Sequence, residues 1–259
     1  MSRRLWINLA SFTGLLIVWA LLTTDAFGAP LVAPLFLPSP AAVVKTFMQL
    51  ASSGYQGKSL LAHLAISLQR FFLGFGITVL LAVPIGLWMG MNETVKAVLD
   101  PPIEISRPMP KLALLPLLII WFGIGEVAKV VIIVLALFPV ISISAMQAVR
   151  SVGRRKILAA MALGASRGMI FRRVIFPASL PGIFTSIRVS IGIGVTMLVG
   201  AEMVATNSGI AWMALSAADF MLTSVVLVGA LIMAAVGYVL DLAARALEDR
   251  IVHWGGKEG

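Results

Sequence analysis

Two short stretches of the chain carry the letters of reactive motifs. Gly164-Ala165-Ser166-Arg167-Gly168 spells the G-x-S-x-G pattern of a serine nucleophile. That chemistry needs a strand ahead of the serine, with an acid and then a histidine further along. Helix-forming residues precede Ser166 instead, and the only later histidine is His253, beside the C-terminus. The match is read as chance. Gly57-Lys58-Ser59 has the tail of a phosphate-binding loop, G-x-x-x-x-G-K-[ST], but Ser52 stands where the first glycine belongs. H-E-x-x-H is absent, and His63 and His253 have no metal-ligand spacing. The lack of cysteine excludes disulfides, iron–sulfur clusters and thiolate zinc sites.

The other chemistry-bearing residues are polar groups set in apolar surroundings, which mark functional positions by default. Arg188 lies about seven residues past Pro181, hence roughly 10 Å into a helix. It is placed to line a translocation pathway and attract an anion, or to snorkel to the headgroups. Arg107 and Lys111 open a proline-rich apolar segment and carry the same two readings. Glu202 and Asp219 fall near the outer ends of two apolar spans, with Asn207 and Ser208 between them. Glu202 and Asp219 are candidates for an outer gate or a partner contact, against solvated loop charges, and Glu202 and Asn207 are candidates for lining the pathway. Pro108, Pro110 and Pro116 must distort whatever helix contains them.

The elements that position these groups follow from composition. Of 259 residues, 60% are hydrophobic and only 12% charged, where globular chains carry about 25% charged residues. Such a chain cannot hide its apolar surface from water, so the bilayer is its expected solvent. The net charge of +9 sits between apolar spans rather than on one face, which argues for topology and against nucleic acid. Apolar runs of about 20 residues predict six spans: Leu5–Leu22, Phe71–Met91 starting near Leu64, one from about Leu112, Val130–Val149, Pro181–Val204 and Phe220–Leu240. The first follows Arg3 and Arg4 like a signal peptide, but its core is long and no small-x-small site follows closely, so a retained helix is expected. Asn92–Glu104 reads as a short polar connection. Ser39–Leu50 reads as an amphipathic surface helix with Ser39 as N-cap and Pro40 at the first position.

An even number of spans puts both termini on one side. Two basic residues in the N-terminal tail, Lys96, seven between Arg150 and Arg173 and three after Leu240 lie on that side. The positive-inside rule makes it cytoplasmic. Residues 150–177 are then the longest interior cytoplasmic loop. Lys156–Leu163 has helix-forming composition, Gly164 suits a left-handed cap, and Ser166 is an N-cap for a second short helix ending before Pro177. Ile157, Leu158, Met161 and Leu163 are apolar knobs in an aqueous loop, which need a cover.

At these residues the chain resembles the permeases of ABC importers. Their cytoplasmic signature reads E-A-A, three residues, G, nine residues, I-x-L-P. Leu158-Ala159-Ala160, Gly164 and Val174-Ile175-Phe176-Pro177 keep that register without a gap. Leu158 replaces the glutamate, Val174 the isoleucine and Phe176 the leucine. PLFLPSPAAVVKTF, RPMPKLALLPLLIIWFGIGE, AAMALGASR and the Glu202 region resemble the taurine, alkanesulfonate, nitrate and bicarbonate branch, the taurine permeases above all.

The resemblance implies an all-α type I importer transmembrane domain over residues 1–259. Residues 1–60 would hold the first transmembrane helix and the amphipathic segment, and residues 61–250 a five-helix core with the coupling loop 150–177. It implies a homodimer in the bacterial cytoplasmic membrane, served by two ATP-binding subunits and a periplasmic or extracellular solute-binding protein. ATP and magnesium would bind on the partner ATPase, with no cofactor on this chain. Ala159, Ala160 and Gly164 would allow close approach, Met161 and Leu163 would be knobs, and Leu158, Arg167, Val174, Phe176 and Pro177 would complete the loop. The expected cargo is a small organic sulfonate, with nitrate, bicarbonate or another small anion as the alternative. A secondary transporter or channel would show repeat symmetry and central carboxylates, and neither is evident.

Overall fold

The computed structural model describes residues 3–24, 30–204 and 206–254. Lys257, one of the basic residues counted after Leu240, lies outside them. Among the described residues the helices are, in chain order, α1 (Arg3–Thr23), α2 (Pro40–Ser53), α3 (Leu60–Met91), α4 (Glu93–Ser106), α5 (Leu115–Phe122), α6 (Glu126–Arg150), α7 (Arg154–Ala162), α8 (Arg167–Ile170), α9 (Phe176–Glu202), α10 (Ile210–Asp219) and α11 (Thr223–Ile251). The chain divides into two compact units, Met1–Ile66 with Thr206–Ala234, and Ser67–Ala205 with Ala235–Gly259.

In the first unit, α2 starts as its sequence predicts. Ser39 is the N-cap, its hydroxyl accepting from Ala42 N–H at 3.3 Å, and Pro40 opens the helix where a missing N–H costs nothing. Val43 and Leu50 are buried, while Val44, Phe47 and Met48 stay exposed. Trp19 Nε1 donates to Pro38 O at 3.0 Å, and Thr223 Oγ1 to Leu35 O at 2.6 Å, tying the proline-rich segment to α1 and α11. His63, to which sequence reading assigns nothing, is fully buried. Gly209 N–H donates to its Nδ1 at 3.1 Å, so the ring proton sits on Nε2, 3.2 Å from Tyr55 O. Trp212 stacks on it at 5.6 Å.

The second unit is built around α6, whose Ile132, Ile133, Leu137 and Ile141 are fully buried. Gly86 and Gly90, four residues apart on α3, let α6 come close. A Cβ at Gly86 would lie 2.3 Å from Ser142 O, and one at Gly90 2.6 Å from Val149 Cβ. Small residues at this spacing are how membrane helices approach without a hydrophobic driving force between them.

Four helical stretches are long and apolar enough to cross a membrane: Leu60–Met91, Glu126–Arg150, Arg167–Glu202 and Thr223–Ile251. The expected third span is not one helix. Glu93–Ser106 and Lys111–Phe122 meet at 89° and make a fifth span only if taken together. Pro108 and Pro110 remove two backbone donors at the bend, and the Lys111 ammonium takes up the carbonyl of Ser106. The expected first span, Leu5–Leu22, lies within α1, which is 21 residues long. Among the described residues four spans are therefore present, or five with the bent pair, and α1 covers the expected first span. Two further helices depart from expectation. Asn92–Glu104 is not a connection but most of α4, capped by Asn92 Oδ1 on Thr94 and Val95 N–H. The ten-residue α10 is too short to show as a span.

Candidate functional site

The loop between α6 and α9 is ordered by local chemistry. α7 ends at Leu163, and Gly164 takes φ +77°, the left-handed conformation that a Cβ penalises. Gly164 N–H donates to Met161 O at 2.9 Å and Ala165 N–H to Ala160 O at 3.0 Å, the two bonds of a Schellman cap. Ser166 then caps α8, its hydroxyl accepting from Met169 N–H at 3.4 Å. This fixes Ser166 between two helices, so no strand precedes it and a nucleophile elbow is excluded by geometry. The second short helix does not end before Pro177. A π turn, Phe171–Ile175, joins α8 to α9 in one continuous 36-residue helix. Pro177, at the second position of α9, removes a backbone donor within that continuous helix, beside the π turn.

No residue of α7 is buried. Leu163 is 88% exposed, Met161 53% and Leu158 51%, so the described residues leave all three knobs exposed. Ala159 is exposed and Ala160 half-buried. Nothing lies within 4 Å of a Cβ built on Gly164, so backbone conformation rather than close packing within this chain demands glycine there. Behind the loop is a cavity of about 820 Å³, whose lining includes Met161, Arg167, Phe171, Val149 and Ile175. Met161 thus faces the bundle side of the loop as well as solvent, while Leu158 and Leu163 do not line it. Val174 and Pro177 are half-buried, and Phe176, 37% exposed, lies 6.0 Å from the Phe171 ring. Arg150 pairs with Glu93, joining the end of α6 to the start of α4.

At the other ends of α3, α6 and α9 is a charge network that sequence reading missed. Arg70, in α3, is 2% exposed. Its Nε and Nη2 donate to Glu126 at 2.5 and 2.7 Å, and its Nη1 to Glu202 Oε1 at 3.0 Å. Ser67 Oγ donates to the same Glu202 oxygen at 2.7 Å, and Lys129 Nζ to Glu126 Oε1 at 3.2 Å. Two cations and two carboxylates balance. Glu202 is fully buried, so it is neither a solvated loop charge nor the lining of an open passage here. The signal was available: Glu126 opens α6, where a helix N-terminus favours a carboxylate, and Arg70 and Glu202 lie at matching ends of their spans.

Arg188 is also neutralised. Its Nε meets Asp241 at 3.1 Å and its Nη1 meets Glu248 at 3.2 Å, both on α11. It neither reaches alone for an anion nor snorkels unpaired, because two carboxylates hold it. Arg107 pairs with Glu104 at 3.2 Å with both side chains about half exposed. Asn207, in the first unit, is exposed just before α10, and Asp219 is exposed at its end.

Comparison with known proteins places these features. The model of binding-protein-dependent transport system inner membrane components matches residues 82–253. The chain is 41% identical over 258 residues to the taurine transport system permease protein TauC of Escherichia coli K12, covering 99% of this chain and 92% of that one. It is 36% identical over 227 residues to the putative aliphatic sulfonates transport permease protein SsuC of Bacillus subtilis 168, covering 88% and 81%. A chain of the inward-facing MetNI methionine ABC transporter superposes with TM-score 0.58 at 18% identity, over 71% of this chain and 92% of that one. One from an amino acid ABC transporter with histidines gives 0.56 at 22%, over 82% and 97%. The two superpositions speak to the all-α fold alone.

Proposed function

The chain belongs to the binding-protein-dependent transport system inner membrane components, and we propose that it is the membrane subunit of an ATP-driven importer for a small organic sulfonate, with taurine as cargo. The observation that carries this reading is identity to a taurine permease sustained over 99% of the chain. Two copies of residues 1–259 form the permease, with both termini in the cytoplasm. Two ATP-binding subunits supply hydrolysis, holding ATP and magnesium, and a solute-binding protein delivers cargo on the outer face.

Loop 150–177 is the coupling element. A short capped helix is rigid, and Leu158 and Leu163, uncovered in this chain, suit a cleft on the ATPase. Apolar knobs buried in a partner transmit displacement with little slack. The uncharged Leu158 makes the seat at that position apolar rather than ionic.

Proteoliposomes containing the chain, its ATPase and a loaded binding protein test the reading. Taurine accumulates only with ATP, and Leu163→Asp abolishes uptake while the chain still folds and pairs. Uptake of nitrate but not taurine would overturn the cargo. Full-rate uptake by the chain without any ATPase would overturn the class.

A further inference from the structure

The bend between α4 and α5 opens onto a cavity of about 800 Å³, within the roughly 300–1,000 Å³ usual for small-molecule sites. One wall is charged: Glu104, Arg107 and Lys111. An apolar part of the lining comes from Ala136, Pro139 and Val140 of α6 and Ile193 and Met197 of α9. Broken helices at membrane depth are where transporters expose backbone and charge to cargo. Resting on the sulfonate reading above, we propose that this cavity is a cargo site in the permease itself, selective for a zwitterionic amino sulfonate. Arg107 takes the sulfonate and Glu104 takes the ammonium.

Three observations carry it. Arg70 and Arg188 are each held by two carboxylates, whereas among the described residues Arg107 meets one carboxylate, Glu104, on the adjacent turn. That pair is about half exposed on both sides, and exposed pairs are weak enough to exchange partners. A ligand bearing both charges replaces Glu104 for Arg107 and Arg107 for Glu104 at once, leaving neither group unpaired. Lys111 keeps the bend open rather than binding: its ammonium donates to the carbonyls of Ser106 and Met109. The two methylenes of taurine then lie against the apolar wall. A simple anion satisfies Arg107 but strands Glu104, so the wall discriminates by charge pattern as well as by size.

Equilibrium binding of labelled taurine to the complete permease–ATPase assembly in nanodiscs, without binding protein, tests this, with ethanesulfonate as the competitor lacking an ammonium. Taurine binds at least about tenfold more tightly than ethanesulfonate. Glu104→Gln removes most of that ratio, Arg107→Gln weakens both ligands, and Arg107→Lys restores part of the binding. Nucleotide hydrolysis by each variant assembly verifies that it is intact. If Arg107→Gln fails to assemble, the wild-type ratio and Glu104→Gln decide. Equal binding of the two ligands, or unchanged binding in both neutral variants, overturns the site. If the wild-type assembly imports taurine in that case, the proposed function survives; if it imports none, that reading falls on its own.

Discussion

At the scale of single residues, the buried network on Arg70 makes the sharpest demand. Removing one member of a buried ion pair strands its partner, at a cost of about 3–5 kcal/mol. Glu202 is fully buried, whereas Glu126 is 58% exposed. Arg70→Met is therefore expected to destabilise the protein by about 3–5 kcal/mol, and adding Glu202→Leu to recover most of it. Denaturant unfolding in detergent measures both. A loss under about 1 kcal/mol for Arg70→Met, or a double variant worse than the single, contradicts the role. Arg70 stands one residue before the apolar run Phe71–Met91. Its partners lie 56 and 132 residues away, and nothing local to Arg70 announces them. Arg188 is the same lesson: its depth is legible, its two carboxylates on α11 are not.

At the scale of elements, the loop helix is held by its cap. Gly164 sits at φ +77° with open space around a would-be Cβ, so Gly164→Ala costs only left-handed strain, about 1–2 kcal/mol. The amides of Gly164 and Ala165 close that cap. Hydrogen exchange at both is expected to speed up by about fivefold to thirtyfold in the variant, with the α6 core unaffected. Unchanged protection would mean the glycine is there for another reason. The cap, the Ser166 start and the Ser39–Pro40 start were legible because capping is chemistry between neighbours in sequence. The π turn through Phe171–Ile175 was not, because Pro177 reads as a stop when it falls at the start of α9. α4 was hidden by its polar composition and the Pro101-Pro102 pair, and the bend after it by an apolar run that periodicity reads as one span.

At the scale of the whole molecule, an apolar knuckle that the described residues leave exposed suits a cover on a partner. The chain has no cysteine, so Leu163→Cys provides a single thiol at an 88% exposed position. Its reaction with a maleimide, followed in the isolated permease and in the permease bound to its ATPase, tests the coupling claim most directly. The account predicts fast labelling of the isolated chain, at least about tenfold slower labelling in the assembly, and loss of ATP-driven taurine uptake when the label is attached before assembly. Equal labelling rates in the two states, with full uptake by the labelled chain, would contradict it.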